Sequence, residues 1–142
     1  MQAWSHIMAT AQRDEHIQTS NEDGLDPRPR FAIGHLGLPA NDVDKLTEFY
    51  TAIGMRPVVN LGRMSIIELR GGTHIILSKS DVAGSGSLDL IVDDIDETWA
   101  VLADAGANPT PITRGSPHDA FTAADPEGNE LVVRSTHAIG PV

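Results

Sequence analysis

Four ionisable side chains stand in stretches that otherwise read as aliphatic strands. They are His35 in FAIGHLGLPA, His74 in GTHIILSK, Asp89 in SLDLIV and Glu130 in NELVVRS. Two imidazoles with one or two carboxylates form a donor set for Zn²⁺, Fe²⁺, Mn²⁺ or Ni²⁺. Three such ligands leave positions open where a substrate oxygen is polarised or a water activated. His35, His74 and Glu130 are therefore the candidate ligands of a divalent metal cofactor. Asp89 is a fourth ligand or a base, and Glu130 doubles as a candidate catalytic group. The competing reading makes all four ordinary polar residues of a wet cleft, with Glu130 paired to Arg63, Arg70 or Arg134.

The chemistry requires these groups to share a side. Strand side chains alternate faces. Leu36 and Leu38 oppose His35; Ile75 and Leu77 oppose His74; Leu88, Leu90 and Val92 oppose Asp89; Leu131 and Val133 oppose Glu130. Packing the aliphatic sets under helices turns the four ionisable groups to the other face. The helices are predicted in NDVDKLTEFYTAIG, where Asn41 or Asp42 can cap the start, and in DDIDETWAVLADAG; Gly54 and Gly106 end them. Short strands and tight turns fill the segments after each helix. Tyr50 and Trp99 lie on the helical stripes and read as core.

The order strand, helix, strands occurs twice. Leu38, Asp42, Asp44, Gly54 and Pro57 recur as Leu90, Asp94, Asp96, Gly106 and Pro109 at an offset of 52, and GTHIIL lies over GNELVV at an offset of 56. Such self-similarity indicates duplication. The fold class is α+β: two tandem βαβββ modules, one over residues 31–80 and one over 87–135, with a cleft between their open faces. His74 and Glu130 occupy equivalent places. Residues 1–30 are polar and end in DGLDPRPR. They read as a tail that is disordered or drapes over the fold, with Trp4, Ile7 and Met8 able to form a short packed helix. The domain itself spans 31–142.

The chain has 142 residues, is 40% hydrophobic, carries a net charge of −10 and lacks cysteine. One domain with a sizeable core suits that length. The acidic balance and the absence of Lys/Arg clusters oppose a nucleic-acid partner. No apolar run approaches the roughly 20 residues of a membrane span, and no signal-peptide pattern opens the chain. A cytoplasmic location fits.

On these residues the chain resembles the vicinal oxygen chelate superfamily, which includes glyoxalase I, fosfomycin and bleomycin resistance proteins, and extradiol dioxygenases. GHLGLPANDVDKLTEFYTAIGMRPV, LIVDDIDETWAVLADAGANP and DPEGNELVV carry the resemblance, with Phe49–Tyr50 before Gly54 and the Asp125-Pro126-x-Gly128 turn as its signatures. The resemblance implies a small-molecule substrate, a homodimer, and lyase, isomerase or ring-cleaving dioxygenase chemistry at a metal. Similar enzymes place four metal ligands on the first and last strand of each module. Those positions here are His35, Ile76, Ser87 and Val132, so only the first matches. His74, Asp89 and Glu130 lie two residues away on the same faces, which implies a displaced site or an abandoned one. A two-residue change in placing the last strands would set His74 and Glu130 at the usual positions.

The resemblance also makes His118 a candidate acid/base group, against a plain loop histidine. His137, after the last strand, could fold over the cleft mouth or stay solvated. Arg63 and Arg70 could hold an anionic group or pair on the surface. The leading expectation is a metal-dependent enzyme. The alternative is a metal-free binding protein of the bleomycin resistance type, although an aromatic content of 4% is low for it. A non-catalytic accessory domain is a third possibility.

Overall fold

The structure, a computed structural model, describes residues 26–84, 86–136 and 138. The tail residues Trp4, Ile7 and Met8, together with His137, lie outside the described residues. Phe31–Ile139 form one compact unit. Its elements are β1 (His35–Ala40), α1 (Val43–Ala52), β2 (Arg56–Asn60), β3 (Met64–Glu68), β4 (His74–Lys79), β5 (Ser87–Val92), α2 (Ile95–Asp104), β6 (Ala120–Ala124) and β7 (Glu130–Ser135).

The duplication extends to local chemistry. Asp42 caps α1 by accepting from the Lys45 amide at 3.0 Å, and Asp94 caps α2 by accepting from the Glu97 amide at 2.9 Å. Each cap satisfies one of the amides that a helix start leaves unpaired. Gly54 and Gly106 follow the helices with φ of 118° and 78°, a backbone region that strongly favours glycine.

The first sheet has the order β1-β4-β3-β2, and the second β5-β7-β6. β1 runs parallel to β4, and β5 parallel to β7; the other pairs are antiparallel. The expected fourth strand of the second module is an extended segment. Thr113 bridges Ala120, while Ala107, Thr110 and Thr113 bond to Ala124, Thr122 and Ala120. Pro109 and Pro111 remove two amide donors from that segment, which prevents a full ladder.

The predicted alternation holds. Leu38, Ile75, Leu77, Leu88, Leu131 and Val133 join the helix-side core with Val43, Leu46, Tyr50, Ile95 and Leu102. The opposite faces carry His35, His74, Asp89 and Glu130.

The modules are tied through the turns that precede their last strands. The Tyr50 hydroxyl on α1 donates to Asp125 Oδ2 at 2.7 Å. Asp125 also accepts from the Glu127 and Asn129 amides and from the Asn129 side chain. The Glu127 carboxylate in turn accepts from the backbone amides of Asn41 and Asp42, at 2.7 and 2.8 Å. There it meets the positive end of α1. The reciprocal contact in the other direction is an exposed ion pair between Arg70 and Asp93. At the repeat offsets, Tyr50 and Asp125 correspond to Leu102 and Leu69. One junction is therefore polar where its counterpart is apolar.

Candidate functional site

β4 places His74 at the centre of a row across the face of the first sheet that lies opposite its helix. Its backbone partner on β1 is His35, and its partner on β3 is Glu68, which faces Arg56 on β2. Directly opposed residues share a face. The rings of His35 and His74 lie 5.7 Å apart at 52°. His74 Nε2 stands 3.6 Å from Glu68 Oε2. Glu68 Oε1 accepts from Arg56 at 2.5 Å. The four side chains form one continuous polar line: exposed imidazole, buried imidazole, half-buried carboxylate, exposed guanidinium.

Burial makes His74 the unusual member. It is only 5% exposed, and its Nε2 has no hydrogen-bond partner. Glu68 at 3.6 Å is too far for a normal N–H···O bond. An unpaired buried polar atom costs about 1–3 kcal/mol, and native proteins rarely leave one unexplained. Ile66, fully buried, and Ile76, half-buried, flank the row on the same face.

The expected metal set does not assemble within the chain. His35 and His74 are brought together. Glu130 lies on β7 opposite Ser87, in the other sheet. Among the described residues no three His, Asp or Glu side chains are grouped so as to hold a metal ion. The residues at the positions implied by the resemblance fit a metal no better. Ile76 pairs with Gly37, and Val132 with Asp89, so the register brings only His35 as a donor. The donors present therefore do not fit the metal within one chain. Glu130 shares the residue pattern of His74 but belongs to a separate sheet, so strand register does not bring the two together.

Asp89 is engaged elsewhere, accepting from Arg134 Nε at 3.2 Å. The arginines weighed as partners of Glu130 thus pair differently, Arg134 with Asp89 and Arg70 with Asp93. His118 sits before β6, with Nδ1 2.8 Å from the Ser135 carbonyl oxygen. Its loop, which contains the cis Ser116–Pro117 bond, is held by Arg114, whose guanidinium donates to Asp96 on α2 and to Asp119. The Gly115 amide and Arg114 hold the Asp119 carboxyl below its ordinary pKa. Trp99, half-buried against the core, donates from Nε1 to the Thr110 carbonyl and so anchors the segment before β6. A groove of about 490 Å³ lies on the helix side, along α1 and β2, lined by Asp44, Glu48, Pro57 and Asn60. It is separate from the histidine row.

Sequence reasoning passed over Glu68 and Arg56. The available signal was a carboxylate closing MSIIE, on the alternation face of Ile66 and Met64. Only the β3–β4 register shows that it meets His74.

Residues 35–134 match the glyoxalase-like domain family. Solved structures share the fold. Lactoylglutathione lyase from Agrobacterium tumefaciens is 22% identical, with a TM-score of 0.66 over 79% of this chain and 98% of that one. The bleomycin resistance determinant encoded on the transposon Tn5 is 19% identical, with a TM-score of 0.64 over 76% and 100%. TnmS3, an antibiotic binding protein from Streptomyces sp. CB03234, is 21% identical, with a TM-score of 0.67 over 76% and 98%. No curated protein sequence matches the chain. Among the described residues no helix is long and apolar enough to cross a membrane. The match spans both modules and the histidine row, and the chain belongs to the glyoxalase-like domain family.

Proposed function

We propose that this chain is a small-molecule-binding member of the family, with its ligand on the face of the first sheet opposite the helix, beside exposed His35, and with no metal held by one chain alone. The carrying observation is the donor set. Where the resemblance expects ligands stand Ile76, Ser87 and Val132, and the nearby substitutes gather two imidazoles without a third donor. Exposed His35, with half-buried Glu68 and Ile76 on the same face, sets a few polar groups beside an apolar surface, which suits a ligand with an apolar body. The fold is shared with a bleomycin resistance determinant and an antibiotic binding protein, which supports a binding role.

The test is elemental analysis of protein purified without chelator and then incubated with Zn²⁺, Mn²⁺, Fe²⁺ or Ni²⁺. The expected content is far below one equivalent per chain. One equivalent, lost in His74→Ala, overturns the reading.

A second reading keeps the metal-dependent enzyme. It is favoured by the two facing imidazoles and by the exposure of Glu130. In it, Glu130 from a second copy of the chain completes the ligand set at a homodimer interface. Stoichiometric metal that depends on both His35 and Glu130 in a dimer is its signature.

A further inference from the structure

The groove of about 490 Å³ along α1 and β2 lies on the helix side of the first sheet, apart from the face beside His35. β2 is an edge strand, so no further strand closes the groove over the flank of α1. We propose that this groove binds a ligand cation, an ammonium or guanidinium carried on an apolar body.

The duplication supplies the argument. Asp44 and Asp96 are counterparts at the offset of 52, and both stand in the first turn of their helices. In the second module a guanidinium already sits on that aspartate: Arg114 donates to Asp96 Oδ1 at 2.6 Å. In the first module the counterpart of Arg114 at the same offset is Gly62, which has no side chain. Asp44 accepts instead from the neutral side-chain amide of Asn60, at 2.7 Å. That bond fixes the aspartate at the groove without neutralising it. The second module thus displays the position and the kind of group that the first leaves to a ligand.

Glu48 doubles the charge. It follows Asp44 by four residues on α1, so the two carboxylates are neighbours on one helical face, with Cβ atoms about 5–6 Å apart. Its own counterpart is Ala100. Like charges at this spacing repel, and a cation placed between them removes the repulsion. Among the described residues no lysine or arginine lines the groove, and Arg56 on β2 is committed to Glu68. Ala52, Pro57 and the Thr51 methyl supply apolar walls, and the volume falls within the roughly 300–1,000 Å³ of small-molecule sites.

Phenethylamine, phenethyl alcohol and hydrocinnamate share an apolar body and carry a cation, a neutral group and an anion. Each is titrated into the protein while backbone amide resonances are followed by NMR. The amine is expected to give saturable shifts in α1 and β2 and to bind there about five-fold more tightly than the alcohol, with no binding of hydrocinnamate in the groove. Raising the salt to about 0.5 M should remove most of that margin. Glu48→Gln, at an exposed position, is expected to lose most of the preference, and Ala52→Phe, which fills the groove, to weaken amine and alcohol alike. Four results overturn the proposal: no saturable shift in α1 and β2, equal affinity for amine and alcohol, undiminished amine binding by Glu48→Gln, or amine-induced shifts confined to the face beside His35.

Discussion

Tyr50 on the first helix donates its hydroxyl to Asp125 of the second module at 2.7 Å, with Asp125 only 4% exposed. This bond is one of the buried polar links between the duplicated halves, and its counterpart positions hold two leucines. Replacing the hydroxyl by hydrogen leaves a buried carboxylate with fewer donors. Tyr50→Phe should therefore destabilise the domain by about 1–3 kcal/mol, read from urea unfolding. A loss below a few tenths of a kcal/mol would show that the bond does not matter to stability.

The same bond predicts alkaline behaviour. Burial, together with the hydrogen bond to Asp125, raises the Tyr50 hydroxyl above its ordinary pKa of 10.0. The folded state then keeps a proton that the unfolded chain releases. Its stabilising contribution is fully present below pH 10 and is lost as the pH rises from there, at up to about 1.4 kcal/mol per pH unit. Tyr50 is the single tyrosine of the chain, so tyrosinate absorbance reports it directly. The absorbance should rise together with unfolding, and Tyr50→Phe should be less sensitive to alkali.

Glu127 and Arg70 make reciprocal contacts of unequal weight. Glu127 accepts from two amides at the α1 N-terminus. Glu127→Ala should cost about 1 kcal/mol and speed hydrogen exchange at the Asn41 and Asp42 amides. Arg70→Ala removes only an exposed ion pair and should change stability by less than about 0.5 kcal/mol. Equal losses would contradict this asymmetry.

Gly84 has φ of 74°, and a Cβ there would lie 2.4 Å from the Glu127 carbonyl oxygen. Both the backbone conformation and the close approach oppose a side chain. Gly84→Ala should lower the melting temperature by several degrees, corresponding to about 1–3 kcal/mol. An unchanged melting temperature would mean that the turn relaxes freely.

The loop carrying His118 should respond to acid. The Gly115 amide and Arg114 depress the Asp119 carboxyl below its ordinary value of 3.8. The anchoring contribution of this carboxylate is present above that value and lost as the pH falls through the lower folded one. In Arg114→Ala the Asp119 carboxyl, followed by NMR, should titrate higher but stay depressed, because the Gly115 bond remains.

Much of the fold was legible in residues 31–135 because its signals are local. Strand alternation set the faces of His35, His74, Asp89 and Glu130, since side chains on a strand have a period of two. Asp42, Gly54 and Gly106 marked helix ends, since caps and left-handed glycines act within a few residues; the matching cap by Asp94 came with the structure. The offsets of 52 and 56 exposed the duplication without any contact being known. The partners of those faces were not legible. Glu68 meets His74 through the pairing of β3 with β4, and Glu130 stands apart because β7 belongs to another sheet. Tyr50, read correctly as core, gained its polar role from Asp125, 75 residues away. Faces follow from the chain's own periodicity; partners follow from strand register and from the docking of the two modules, which only the assembled tertiary structure decides.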